Sequence, residues 1–532
     1  MHSFLIRGAV LADGSGAPLL RADVAVAGDR IAAVAPRIDT PAQRVIDADG
    51  LVLAPGFIDI HSHTDMTLFR HPDAPGKAMQ GVSLEVTGNC GLSLFPVNPG
   101  RQEELAEYLG LHDFALPSTG FSWEDFASCA DRIDTLSPLI NTAPLVGHAP
   151  LRIAAMGMDN RAPDARELAR MQELLALSLG QGAWGFSTGL IYPPGSFAAT
   201  EEVVALARTA AGYGGIYASH IRGEGESLMA ALDEAIRVGR ESGARVQVSH
   251  LKAMGQGNRG RGRETLEKLA AARLAGIDVA ADQYPYHASA TSLSAVVPQW
   301  AHDGGVRALL ERLRDPALRA PLCADIGREM TAREGAAGIV ISNCRSERNR
   351  HFSGQSVADV ASELGCTPEE AVIRLLVEEE GGVGAIFFSM AEDDVRTILA
   401  DPGVSVGSDG HALDATADAG EATHPRSYGT FPRVLGHYVR EEKLLSLPAA
   451  IRKMTSLPAG RLGFTDRGII RPGFAADLVL FDPKAIAERS SYADPHHYAT
   501  GVTHLLVNGR PVLWDGCLTG ERPGRVLRRG SV

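Results

Sequence analysis

The chain opens with apolar and polar positions in alternation, interrupted by turn residues. "FLIRGAVLADG" and "ADVAVAGDRIAAVAP" read as strands of a small antiparallel sheet, the second pair joined at Ala27-Gly28-Asp29. The same patterning returns near the other end in "AADLVLFDP" and "THLLVNGRPVLWDG". Two strand-rich ends around a long middle predict one small β domain assembled from residues 1–55 and 466–532.

The middle, residues 56–465, alternates strand-like and helix-like segments, the pattern of a parallel α/β fold. Eight candidate strands stand out: "GFIDIHSH", "SLEVTGNC", "TAPLVGHA", "GAWGFSTG", "GGIYASHI", "ARVQVSHL", "GIDVAADQYPY" and "GVSVGSDG". Amphipathic helices are predicted between several of them, as in "DARELARMQELLALSLG" and "ESLMAALDEAIRVGRESG". A further helix, near Glu369 to Glu379, is announced by a Thr367 cap, a first-turn Pro368 and a capping-box Glu370. Each candidate strand is apolar and then ends in His, Cys, Asp, Ser or Tyr. In an eight-stranded barrel the C-terminal strand ends form the active face, so this pattern converges the polar chemistry on one mouth. The stretch at about 302–355 breaks the rhythm and is expected to be an insertion over that mouth.

Composition narrows the class without changing the fold. A chain of 532 residues is long enough for a barrel with satellites, and 45% hydrophobic with 22% charged residues is ordinary for a soluble protein. The formal charge of −13 argues against nucleic acid or an anionic membrane surface as the main partner. The apolar runs fall short of a membrane span and no signal-peptide pattern opens the chain, so a cytoplasmic enzyme is expected. Cys90, Cys129, Cys323, Cys344, Cys366 and Cys517 are scattered without CxxC spacing and read as free thiols.

Six positions carry candidate chemistry. His61 and His63 end the first strand, and residues two apart on a strand point the same way. Such a pair is commonly a surface feature, but two buried imidazoles gain a shared partner from a divalent metal. Cys90 in "VTGNCG" is either a small buried thiol or a thiolate ligand of the kind that suits zinc, with flanking glycines bringing the backbone close. His220 and His250 occupy matching places, each after a serine at the close of adjacent strands. A single such histidine would be an ordinary core residue; two in register, facing His61, His63 and Cys90, point to a metal cluster. Asp409 in "VGSDG" either caps a loop or takes a proton from an activated water and passes it to a leaving nitrogen.

Together "GFIDIHSHTD", "VTGNCGLSLFP", "YASHIRGEGE", "VSHLKAMG", "VGSDG", "HPRSYGTFPRVLGHY", "KMTSLPAGRLG" and "RPGFAADLVLFDP" resemble the D-aminoacylase (N-acyl-D-amino-acid deacylase) branch of the amidohydrolase superfamily. The resemblance runs from about residue 3 to the C-terminus and is weakest across 302–355. It implies a TIM-like (β/α)8 barrel with a small β-sandwich domain formed from both chain ends. It also implies zinc held tightly by Cys90, His220 and His250, with a second, weaker site at His61, His63, the shared Cys90 and Asp409. Zinc would lower the pKa of a water from about 15.7 to about 7, and Asp409 would handle its proton. For the carboxylate of an N-acyl-D-amino acid, the family pattern points to Arg426, Lys252, Tyr192 and Tyr284. Family members often read "YPYxAGST" where this chain has "YPYHASAT". The hydroxyl expected near the acyl group therefore falls on Ala290, with Ser289 and Thr291 as substitutes and an unusual His287 alongside.

The nearest rival is a cyclic-amide hydrolase of the dihydropyrimidinase or dihydroorotase kind. Those enzymes usually carry a bridging lysine, which is missing from the early strand ends here, and they lack the HPRxxGTFPR element. A non-catalytic scaffold on the same barrel is a further alternative, disfavoured because all five candidate ligands and Asp409 are retained.

Overall fold

The structure is a computed structural model that describes residues 2–112, 117, 120–419 and 422–530. All eight candidate strands form, at Phe57–Asp59, Val82–Thr87, Asn141–Pro144 (continued by Val146–Gly147), Gly185–Gly189, Ile216–His220, Arg245–Val248, Val279–Gln283 and Val404–Val406. They pair in parallel in chain order. The seventh then pairs with the eighth, and a parallel bridge between Ser62 and Gly410 closes the circle back to the first. Closure of this kind leaves no sheet edge exposed and aims every strand's C-terminal end at one mouth.

The surrounding helices bury one stripe each. Asp164 caps Ala165–Gly180, accepting from the backbone N–H groups of Arg166 and Glu167, and Glu167 bonds back to Asp164. Its buried Met171, Leu175, Ser178 and Leu179 recur at three- and four-residue spacing, the inner face of an amphipathic helix. Thr367 accepts from the Glu370 backbone N–H, as its capping sequence predicts, and starts the helix Pro368–Glu378. Among the described residues no helix is long and apolar enough to cross a membrane.

Strands from both chain ends meet in one nine-stranded sheet. Its junction is the antiparallel pairing of Val52–Pro55 with Leu478–Phe481. Ile6, Val24, Val26, Leu478, Leu480 and Leu506 share the core of this unit. After its last strand the chain returns to the barrel, where the Trp184 Nε1–H donates to the Leu527 carbonyl at 2.5 Å.

The insertion expected over 302–355 is part of a larger folded segment. Ser289–Ser292, Ile339–Cys344 and Val383–Phe387 form a three-stranded antiparallel sheet. Four helices cover it, and Leu309, Ile326, Ile341, Val360 and Leu376 give it a core of its own. The pattern underestimates its extent because a capped amphipathic helix followed by "VGAIFFS" looks the same as a barrel repeat.

One ion cluster holds the seam where the barrel closes. Lys77 is fully buried and its Nζ donates to Asp59 at 2.6 Å and to Ser408 at 2.5 Å, with Glu85 at 3.3 Å. Asp59 belongs to the first strand, Glu85 to the second, and Ser408 follows the eighth, directly before Asp409. Removing one partner from such a cluster strands the others as buried charge, at a cost of about 3–5 kcal/mol. Lys77→Met is therefore expected to lower the denaturation midpoint strongly, measured by circular dichroism in urea. A midpoint equal to that of the parent protein would show that the seam does not depend on Lys77.

Candidate functional site

Three of the polar residues at the mouth have left-handed backbone: Cys90 with φ 54°, His250 with φ 35° and Asp409 with φ 53°. Non-glycine residues rarely adopt it, and here it turns each side chain out of its strand direction and into the barrel mouth. The backbone around Cys90 is crowded as well. A Cβ on Gly189 would lie 2.1 Å from the Cys90 carbonyl oxygen, and one on Gly91 would lie 2.7 Å from the Gly189 nitrogen. Glycine at both places lets the second and fourth strand ends approach closely enough to place the thiol.

His61 is fully buried, with Nε2 3.3 Å from Cys90 Sγ and 3.3 Å from Asp409 Oδ1. His63 Nε2 lies 3.1 Å from the same Asp409 oxygen. Cys90 Sγ is 3.5 Å from His250 Nε2, and the His220 and His250 rings meet edge to face at 4.3 Å. Two donor groups result, His61–His63–Cys90–Asp409 and Cys90–His220–His250, each with its ligand atoms within 4.8 Å of one another. Cys90 belongs to both.

The electrostatics are those of a site built for positive charge. Burial opposes ionisation of Cys90, but His61 and His250 outweigh it and hold the thiol well below its usual range. Burial likewise opposes ionisation of Asp409, and Arg426, His250 and His61 together keep it well below the usual carboxylate range. His63 rises to about 9 because the bond to Asp409 and the charge of Cys90 overcome its burial. His220 is pushed down by burial, and among the described residues neither of its ring nitrogens has a hydrogen-bond partner. A buried imidazole with both nitrogens unmet, beside a stabilised thiolate, is the donor chemistry of a borderline-soft divalent ion.

A cavity of about 140 Å³ opens beside this cluster, and Arg426, Lys252, Tyr192 and Ser289 all line it. Arg426 Nη1 donates to Asp409 Oδ2 at 2.6 Å and Nη2 to the Ala290 carbonyl at 3.0 Å. Lys252 Nζ and Arg426 Cζ stand 5.6 Å and 5.2 Å from the ring centre of Tyr284, whose buried hydroxyl has no hydrogen-bond partner. Tyr192 Oη pairs with Thr291 Oγ1 at 3.0 Å. Ser289 sits opposite Phe387 on the first strand of the inserted three-stranded segment, which forms a cap at the cavity. His287 turns away toward Phe388 and Tyr492, at ring distances of 5.8 Å and 5.5 Å.

Sequence reasoning assigned no role to three further residues. Asp282 accepts from the His250 backbone N–H at 2.8 Å and from Gln247 at 2.7 Å, and lies 3.2 Å from His61 Nδ1. Its position near the end of the seventh strand was the available signal. His424 Nε2 bonds the Ala288 carbonyl at 2.9 Å while its Nδ1 accepts the Arg426 backbone N–H at 3.0 Å, which ties the arginine loop to the cap. Glu224, inside "SHIRGEGE", lies against both Lys252 and His250.

A closed parallel barrel with thiolate, imidazole and carboxylate donors at its C-terminal mouth defines a metal-dependent hydrolase. The Amidohydrolase family matches residues 44–513, and the chain belongs to that family. Within it, the chain is 40% identical to a D-aminoacylase of Alcaligenes xylosoxydans xylosoxydans over 99% of its own length and 98% of that protein. A crystal structure of N-acyl-D-glutamate deacylase from Bordetella bronchiseptica, complexed with zinc and a phosphonate inhibitor, is 38% identical. It superposes with a TM-score of 0.83 over 99% of both chains. A D-aminoacylase structure concerned with one-metal activation and second-metal attenuation of a binuclear centre is 37% identical, with a TM-score of 0.83. It is matched over 99% of this chain and 100% of that one.

Because Cys90 belongs to both donor groups, Cys90→Ala should lose the tightly held metal, read by elemental analysis after exhaustive dialysis. Full metal retention in a folded Cys90→Ala protein would remove Cys90 from the ligand set.

Proposed function

We propose that this protein hydrolyses linear N-acyl-D-amino acids to a carboxylate and a free D-amino acid. Zinc would be held tightly by Cys90, His220 and His250, and more weakly at His61, His63, Cys90 and Asp409. The carrying observation is that a soft donor set and a buried anion-complementary wall face one small cavity. Arg426 and Lys252 make up that wall, and both lie over the Tyr284 ring. Full-length similarity to a D-aminoacylase supports the D preference and the linear substrate. A dihydropyrimidine such as dihydrouracil has no carboxylate to offer the wall, which disfavours the dihydropyrimidinase reading. Dihydroorotate does carry one, and full-length similarity to a D-aminoacylase weighs against that cyclic substrate.

Zinc, when bound, supplies Lewis acidity, lowering the pKa of a water to about 7 and polarising the acyl oxygen. Asp409 divides its work between two oxygens. Oδ2 is held by Arg426, while Oδ1 faces His61 and His63 and is placed to take a proton from the attacking water. The same oxygen returns the proton to the departing amine nitrogen. Arg426 and Lys252 fix the α-carboxylate while the acyl group lies at the metal; with those two points held, the enantiomers differ in which wall their side chain meets. Tyr192, positioned by Thr291, adds a phenol to the carboxylate end of the cavity. Burial of Tyr284 keeps its phenol protonated and able to donate to the carboxylate. Six cysteines that all stand as free thiols favour the cytoplasm as the setting.

Charge-assisted hydrogen bonds contribute about 1.5–3 kcal/mol each, and 1.36 kcal/mol is tenfold in rate. Arg426→Ala is thus expected to lower kcat/KM for N-acetyl-D-amino acids by about tenfold or more and to reduce D-over-L discrimination. Hydrolysis of matching amides without the α-carboxylate should change little. If acids and neutral amides fall in parallel, with thermal stability falling too, Arg426 only braces Asp409 and the cap, and the carboxylate anchor lies elsewhere.

A further inference from the structure

Glu224 is 7% exposed and lies in the loop that follows the fifth barrel strand. Three basic groups converge on its Oε1: Lys252 Nζ at 2.5 Å, His250 Nδ1 at 3.2 Å and His220 Nε2 at 3.7 Å. Lys252 Nζ also lies 2.7 Å from that same His250 Nδ1. The His250 Nε2 on the far side of the ring faces Cys90 Sγ.

The two contacts to Nδ1 place opposite demands on the ring. A neutral imidazole carries one N–H, so a ring whose Nε2 lone pair serves a metal must hold its proton on Nδ1. An ammonium only donates and cannot receive that proton, whereas a carboxylate only accepts. With Nε2 committed to a metal, the Nδ1–H needs Glu224, and Lys252 has to give up its contact with the ring. Partners on the outer nitrogen of a ligating histidine fix its tautomer and raise its basicity, and their loss typically weakens metal binding by about 10–100-fold.

We infer that Glu224 is a positioning residue for the metal centre: it accepts the His250 Nδ1–H and so presents Nε2 to the ion, while holding Lys252 beside the substrate cavity. The inference rests on the reading of His250 as a ligand. It adds that metal affinity and the placement of the substrate-binding lysine are set by one carboxylate.

Zinc affinity of the whole protein, measured by equilibrium competition with a chelator, tests this without recourse to activity. Glu224→Leu should bind zinc about 10–100-fold more weakly, and Glu224→Gln, which keeps an acceptor oxygen, should lose less. The same pair is then made on a Lys252→Met background. If Glu224 merely neutralises Lys252, removing the lysine cancels the effect; if it acts through His250, the loss persists. Affinity within about twofold of the parent in Glu224→Leu, or full cancellation by Lys252→Met, overturns the inference. Should Glu224→Leu fail to fold, as judged by circular dichroism, Glu224→Gln on the Lys252→Met background carries the decision. A measurable loss there upholds the inference and an unchanged affinity overturns it. A Cys90→Ala control that kept its zinc would instead sink the ligand reading itself, so the two failures remain distinct.

Discussion

The barrel mouth depends on keeping two anions, the Cys90 thiolate and the Asp409 carboxylate, ionised where there is almost no water. Burial alone would protonate both, and an isolated buried charge is among the costliest features a fold can carry. The structure offsets this with positive charge from several directions. His61 and His250 stabilise the thiolate, and Arg426, His250 and His61 stabilise the carboxylate. A divalent cation drawn to this cluster would take over that compensation, since the imidazoles that hold it must bind as neutral rings. The parallel barrel is what makes the arrangement available, because the histidines follow strand ends far apart in sequence but adjacent around the mouth, and Arg426 joins them from the start of the helix Arg426–Arg433.

The same constraint couples the metal side to the substrate side. Arg426 touches Asp409 with one nitrogen and the cap carbonyl of Ala290 with another. Tyr192 reaches the cap at Thr291, and its ring lies 5.1 Å from that of His220. The cavity is thus lined by groups already engaged with Asp409 or packed against His220. The cap has a core of its own and contributes Ser289, Asn343 and Phe387 to the cavity lining.

Period and register made the main features legible. His61 and His63 reach the same Asp409 oxygen, as their two-residue spacing suggested, although the strand itself ends at Asp59. His220 and His250 follow neighbouring parallel strands, one residue out of register because Ser219 lies opposite Val248. Cys90 and Asp409 were visible as polar ends of apolar strands, although their left-handed backbone was not. What stayed hidden depends on contacts between segments without a shared period. Lys77 precedes the second strand and gives no pattern of its own, yet it closes the barrel seam. Asp282 and Glu224 looked like ordinary strand-end and loop acids, and only the fold sets them behind the histidines. The cap was misjudged in extent because its helix Pro368–Glu378 and strand Val383–Phe387 obey the same local rules as a barrel repeat.

The most direct test of the whole account is a metal titration read with both enantiomers. Protein stripped of metal by a chelator is titrated with zinc while hydrolysis of N-acetyl-D- and N-acetyl-L-amino acids is followed in parallel. The account predicts negligible activity without metal, recovery as the tight Cys90–His220–His250 site fills, and hydrolysis confined to the D series. Full activity in the stripped protein, or equal hydrolysis of the L series, would contradict it.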